Sequence, residues 1–208
     1  MRHVKIAVAV AAALLGAAGF AAADRPAEGR PFVGASYGQT SANYGASGRA
    51  ERMMSDFDFD DVIRHSDTWG VRAGYDQGDS RYYVSYGNVS DDRNGIIKFR
   101  QQTATVSYDR MLPVTATTRL FGGVSAGTTY VAQVSKGYAS DRDWGLHAGL
   151  QAGVLQQLTD NAELEFGYRY AKHDGVDVDF ARNRDGLRTG TARLNSTGEA
   201  YLGLNWRL

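Results

Sequence analysis

An all-β fold is predicted by three features of the sequence. The first is alternation. In Glu199–Leu208, Ala200, Leu202, Leu204, Trp206 and Leu208 form one face, and Glu199, Tyr201, Gly203, Asn205 and Arg207 form the other. A period of two belongs to a strand, because successive side chains on an extended backbone point to opposite sides. The second is composition: 25 Gly and 12 Tyr beside only 3 Pro suit many strands joined by turns. The third is recurrence. The same alternation returns along the chain, interrupted by connections that run long, short, long, short, long, short, long.

In order, the first strand is Phe32–Gly38, with Val33, Ala35 and Tyr37 on one face. Gln39–Ser66 is a long polar loop. The second strand, Thr68–Asp76, sets Trp69, Val71, Ala73 and Tyr75 against Gly70, Arg72 and Gly74, and ends in the turn Gln77-Gly78-Asp79. The third is Arg81–Gly87, followed by the loop Asn88–Gln102. The fourth is Thr103–Asp109, and Arg110–Thr117 connects it to the fifth, Arg119–Tyr130. There Phe121 falls opposite Leu120, Val124 and Ala126, and a bulge at Gly122-Gly123 is expected to reconcile them. The loop Val131–Asp143 leads to the sixth strand, where Trp144, Leu146, Ala148, Leu150, Ala152 and Val154 alternate with Gly145, His147, Gly149, Gln151 and Gly153. The seventh is Ala162–Ala171, the last long loop is Lys172–Ser196, and the terminal stretch is the eighth strand.

Residues 1–23 read as a secretory signal peptide, leaving residues 24–208 as one domain. Arg2 and Lys5 precede the apolar run Ile6–Phe20, and Ala21-Ala22-Ala23 fits a cleavage site. The whole chain carries 23 basic and 23 acidic residues. Losing Arg2 and Lys5 leaves a slight acidic excess, which argues against a nucleic-acid partner. With no cysteine there is no disulfide framework and no lipid-anchor thiol. After the leader, no apolar run is long enough for a spanning helix.

Two kinds of eight-stranded barrel fit this pattern. A soluble lipocalin-like barrel keeps its apolar face inside. A membrane barrel turns that face to lipid and keeps a polar lumen. Here the polar face carries Arg72, Arg81, His147, Glu165, Arg169 and Glu199. A dry interior does not accept so many charges, whereas a lumen in which Arg and Glu pair does. The aromatics agree. With both termini on one side, Tyr37, Trp69, Tyr130, Trp144 and Tyr170 gather at the outer end. Tyr75, Tyr82, Tyr108 and Trp206 gather at the periplasmic end, as two interfacial belts require. The prediction is an eight-stranded antiparallel up-and-down transmembrane β-barrel, exported by its cleaved leader to the outer membrane of a Gram-negative bacterium.

Val33-Gly34-Ala35-Ser36-Tyr37-Gly38, Phe166-Gly167-Tyr168-Arg169-Tyr170 and the terminal strand resemble the small outer-membrane β-barrel superfamily: the OmpA transmembrane domain, OmpX and Ail, and the opacity-type proteins. The resemblance covers residues 24–208, although the final Leu208 replaces the aromatic that such chains often carry. It implies a monomer surrounded by outer-membrane lipids and lipopolysaccharide, inserted by the barrel-assembly machinery. It also implies long loops that serve adhesion, resistance to host defence or contact with a surface ligand. Reinforcement of the envelope is the equal alternative.

No catalytic residue, cofactor or metal ligand is assigned from the sequence. His147 and Ser125 sit on neighbouring strands, but no motif joins them as a lipid A deacylase-like enzyme needs. His65 and His173 are expected in loops without metal-ligand spacing. Asp56, Asp58, Asp60 and Asp61 are expected to be solvated. Phe57, Phe59 and Phe180 are the loop residues best suited to meet a partner, with Phe57 and Phe180 expected to approach each other. Eight strands leave an interior that side chains fill, so no wide pore is expected.

Overall fold

The computed structural model describes residues 29–47, 66–93, 97–135, 141–175, 177–181 and 188–208. Residues 1–23, read above as a signal peptide, Asp56–Asp61 with Phe57 and Phe59, and His65 lie outside the described residues, as does the side chain of Phe180. The strands are β1 (Arg30–Ser47), β2 (Ser66–Asp76), β3 (Ser80–Arg93), β4 (Ile97–Pro113), β5 (Thr118–Ser135), β6 (Asp141–Gln157), β7 (Ala162–Asp174), β8 (Asp177–Ala181) and β9 (Arg188–Arg207). Each wall strand pairs antiparallel with its neighbour in sequence, except that β7 pairs with β9 and β9 closes on β1. The result is a closed eight-stranded barrel. The short β8 follows β7 and pairs with the start of β9, on the edge of β9 that β7 occupies further down, so the β8–β9 hairpin carries the sheet outward.

Period-two alternation sets the two surfaces. Val106, Leu146, Leu150 and Phe166 are more than 60 % exposed on the outside, while Arg81, Asp109, Glu165 and Asn205 are at most 1 % exposed inside. On β6 the rise from Trp144 to Val154 is about 25 Å at ~3.3 Å per residue and a tilt of ~40°, the height of a lipid-facing band. The short connections are tight. Gly78 takes φ +88°, a left-handed conformation that glycine adopts without a Cβ clash, and its N–H bonds Asp76 Oδ1 at 2.8 Å. Thr115 Oγ1 accepts the Thr118 N–H at 3.0 Å, and Thr159 Oγ1 accepts the Ala162 N–H at 3.0 Å. These hydroxyls substitute for ladder partners where the chain reverses.

The structure corrects three expectations. The strands run further than alternation suggests. Gln39–Ser66 begins inside the β1–β9 and β1–β2 ladders. Asn88–Gln102, Val131–Asp143 and Lys172–Ser196 also start or end inside ladders. Beyond the membrane, polar side chains hide the alternation, but the backbone ladder needs only N–H and C=O groups and continues. Second, β5 has no bulge. Its register with β4 and β6 is unbroken, and Phe121 points inward at 4 % exposure because the lumen itself accepts aromatic rings. The register shift found in this wall lies instead at Asn43/Tyr44. Third, His173 belongs to β7, not to a loop.

Candidate functional site: the charge-paired lumen

The lumen is built in layers. Nearest the short turns, Asp76, Arg119, Glu163 and Arg207 form an alternating ring. Arg119 Nη2 lies 2.8 Å from Asp76 Oδ2 and 2.7 Å from Glu163 Oε1. Arg207 Nη2 lies 3.1 and 2.7 Å from the same two oxygens. The ring draws residues from β2, β5, β7 and β9, and so ties the last strand across the barrel mouth. Arg119 Nη1 also donates to the Gly78 carbonyl at 2.9 Å.

Glu165 organises the next layer. One carboxylate oxygen accepts from Arg72 Nη1 at 2.8 Å and from the Tyr201 hydroxyl at 2.7 Å. The other accepts from Arg81 Nη1 at 2.7 Å and from Asn205 Nδ2 at 2.9 Å. Arg81 Nε reaches Asp109 at 2.7 Å, and its guanidinium lies 4.8 Å from the Phe121 ring centre and 5.0 Å from that of Tyr83. Aromatic faces thus cover the cation where carboxylates do not. Met111, Phe121, Leu155 and Tyr201 pack together in one buried cluster.

Above them, Gln151 donates to Tyr83 Oη at 2.7 Å and accepts from Arg169 Nε at 3.0 Å. Arg169 Nη1 meets Glu199 at 3.3 Å, a pair that keeps some solvent exposure. The upper layer holds His147 and His173 among Thr105, Thr129 and Thr197. His147 bonds Thr105 and Thr129, and Ser125 Oγ, buried without a partner, plays no part in its contacts.

All six lumen residues named from the sequence therefore face inward, and Arg72, Arg81 and Glu165 share one network. Asp76, Asp109, Arg119, Glu163 and Arg207 were not named. All five lie within the predicted strands, at positions that the same alternation turns to the polar face. With them, the arginines at 72, 81, 119, 169 and 207 are matched by carboxylates at 76, 109, 163, 165 and 199, so the ionic interior is neutral. That balance is what burial of charge demands.

Glycine makes the network fit. A Cβ at Gly203 would collide with the Arg72 guanidinium, and one at Gly34 would collide with Asn205. Gly203→Val is therefore expected to push Arg72 away from Glu165. It should lower stability against urea by about 1–3 kcal/mol, the usual cost of overpacking.

On the outside, Tyr37, Trp69, Trp144 and Tyr170 are exposed, with Tyr37 opposite Trp69 and the Tyr130 and Trp144 rings 4.9 Å apart. Near the short turns, Tyr75 stacks on Tyr82 at 6.0 Å, Tyr82 lies opposite Tyr108, and Trp206 lies opposite Val33.

No protein-family profile matches the chain, and no curated protein sequence matches it. Solved structures do. A solution structure of outer membrane protein H (OprH) from P. aeruginosa is 39% identical, with a TM-score of 0.56, over 86% of this chain and 99% of that one. The chain belongs to the outer membrane protein H family. Neisserial surface protein A (NspA) matches with a TM-score of 0.61 at 15% identity, over 88% of this chain and 100% of its own. Ail, the attachment invasion locus protein of Yersinia pestis, matches with a TM-score of 0.56 at 14% identity over the same shares. At these identities the last two show the fold alone. The chain is thus an outer-membrane β-barrel protein of the Gram-negative type, and its resemblance to the OmpA, OmpX and Ail group of small barrels holds.

Proposed function

We propose that this chain is a non-catalytic, closed barrel that reinforces the outer membrane and meets its surroundings through its outer loops. One observation carries the reading: the lower lumen is filled by neutral ion-pair layers, which leaves the exterior wall and the outer end as working surfaces. The two aromatic belts hold the barrel at the depth where lipid and lipopolysaccharide surround it. The monomer reaches that position through the barrel-assembly machinery. Adhesion or resistance to host defence is assigned to the loops. There the β8–β9 hairpin rises above the wall, and Phe180 lies opposite Gly190 on a strand edge suited to pairing with a partner.

Replacing the outer halves of the first and fourth loops by short turns tests this. The shortened barrel should still migrate as a compact species before heating and as an extended one after it, since the wall pairings within the membrane are kept. Cells carrying it should lose whatever adhesion the full chain confers. Protease added to intact cells should cut these loops and spare Gln77–Asp79. Unchanged adhesion with correctly exposed, shortened loops would remove the surface role and leave reinforcement alone.

A further inference from the structure

His147 and His173 are far apart in sequence but directly opposite each other on β6 and β7. Their ring centroids are 5.5 Å apart, with the planes inclined at 44°. Both Nδ1 atoms converge on one oxygen. Thr129 Oγ1 is 2.9 Å from Nδ1 of His147 and 3.1 Å from Nδ1 of His173. The two Nε2 atoms point away, each to its own threonine: His147 to Thr105 Oγ1 at 3.0 Å, and His173 to Thr197 Oγ1 at 2.9 Å. Five side chains from five strands thus span the upper lumen in one unbroken chain.

The protons in this chain matter. If both rings carry their proton on Nε2 and donate it to Thr105 and Thr197, two Nδ1 lone pairs face Thr129. A hydroxyl has one proton and satisfies only one of them. Without a further group, the chain closes with opposite tautomers, or with both rings donating from Nδ1 to Thr129 Oγ1 and accepting at Nε2 from Thr105 and Thr197. A cation between the Nδ1 atoms satisfies both lone pairs with the same tautomer on each ring. This is how metal-bound imidazoles are generally held, with the second nitrogen donating to an orienting oxygen.

We propose that His147 and His173 form a two-imidazole site in the upper lumen for a divalent transition cation of the Zn²⁺, Cu²⁺ or Ni²⁺ kind. Two imidazoles on one tetrahedral ion, with metal–nitrogen bonds of ~2.0–2.1 Å, place their ring centroids about 5 Å apart, close to the spacing here. Nitrogen donors select these ions over Mg²⁺ and Ca²⁺, which take oxygen. The Thr129 hydroxyl and water complete the coordination. The rings line a cavity of about 50 Å³ whose wall includes Thr40, Thr68 and Gln101. Arg72, Arg169 and Glu199 line the same cavity, and each arginine is ion-paired: Arg169 with Glu199, and Arg72 with Glu165 below. Among the described residues no cluster of three or more His, Cys, Asp or Glu ligands occurs, so the site rests on two imidazoles and hydroxyl or water oxygen.

The test uses untagged mature protein, purified folded in detergent. Cu²⁺ added to it should give one saturable site per chain, with an electron paramagnetic resonance spectrum showing splitting from two imidazole nitrogens. Zn²⁺ should compete for that site. His147→Ala and His173→Ala should each weaken binding at least tenfold, while His65→Ala retains it. Heat-dependent gel mobility reports whether each variant is folded. The wild-type spectrum needs no variant, so the test stands even if one fails to fold. No saturable site, a spectrum with fewer than two nitrogens, or binding that survives the loss of both histidines would overturn the proposal.

Discussion

Glu165→Gln should be among the most damaging single changes in this barrel. The glutamine keeps the shape of the side chain and loses the charge. Glu165 is fully buried and faces Arg72 and Arg81, both almost fully buried themselves. Without it, Asp109 is left as the one carboxylate in direct contact with the pair. Breaking a buried ion pair from one side costs about 3–5 kcal/mol, because the remaining charge is desolvated and unpaired. Urea unfolding from lipid vesicles should show a loss of that size, together with a lower temperature for the heat-dependent gel shift. Adding Arg72→Met should recover part of the loss, since it removes the orphaned cation. Glu199→Gln should cost within about 1 kcal/mol, because its pair with Arg169 is longer and partly solvated. Equal losses at 165 and 199 would mean that burial does not rank the two carboxylates.

Leu150→Arg is the second large effect, and it addresses the opposite surface. Leu150 is 65 % exposed midway along β6, opposite Val124 and Tyr170. In water, an exposed Leu→Arg change is nearly neutral. At the bilayer midplane it costs about 2–4 kcal/mol. Leu158→Arg, in the short turn before β7, should cost within about 1 kcal/mol, because charges near the interface stay hydrated. Unfolding of both variants from the same vesicles gives the comparison. A neutral Leu150→Arg would place that face in water.

Much of this architecture is legible in the sequence, and the reasons for the rest are physical. Alternation assigns Arg72 and Glu165 to the same side of the wall, but it does not say that they touch. They are 93 residues apart, Arg81 and Glu165 are 84 apart, and only closure of the barrel brings them together. Phe121 shows the converse. A rule that sends apolar residues outward misplaces it, because the ring lies against the buried Arg81 cation, a need that arises from packing. His173 was missed because the polar sequence after Ala171 looks like a loop, whereas backbone pairing carries β7 to Asp174. Its partnership with His147 follows from register, which the sequence does not display. Membership of the outer membrane protein H family speaks to fold and location, while the roles of the lumen and loops rest on this chain's own side chains.

The central claim is that the lumen is closed by its own charges, and conductance across a planar bilayer tests it most directly. Purified wild-type barrel should insert without producing stable open channels at moderate voltage, because the Asp76–Arg119–Glu163–Arg207 ring and the Glu165 layer fill the lower lumen. A persistent channel in every inserted wild-type barrel, insensitive to Glu165→Gln, would contradict the account.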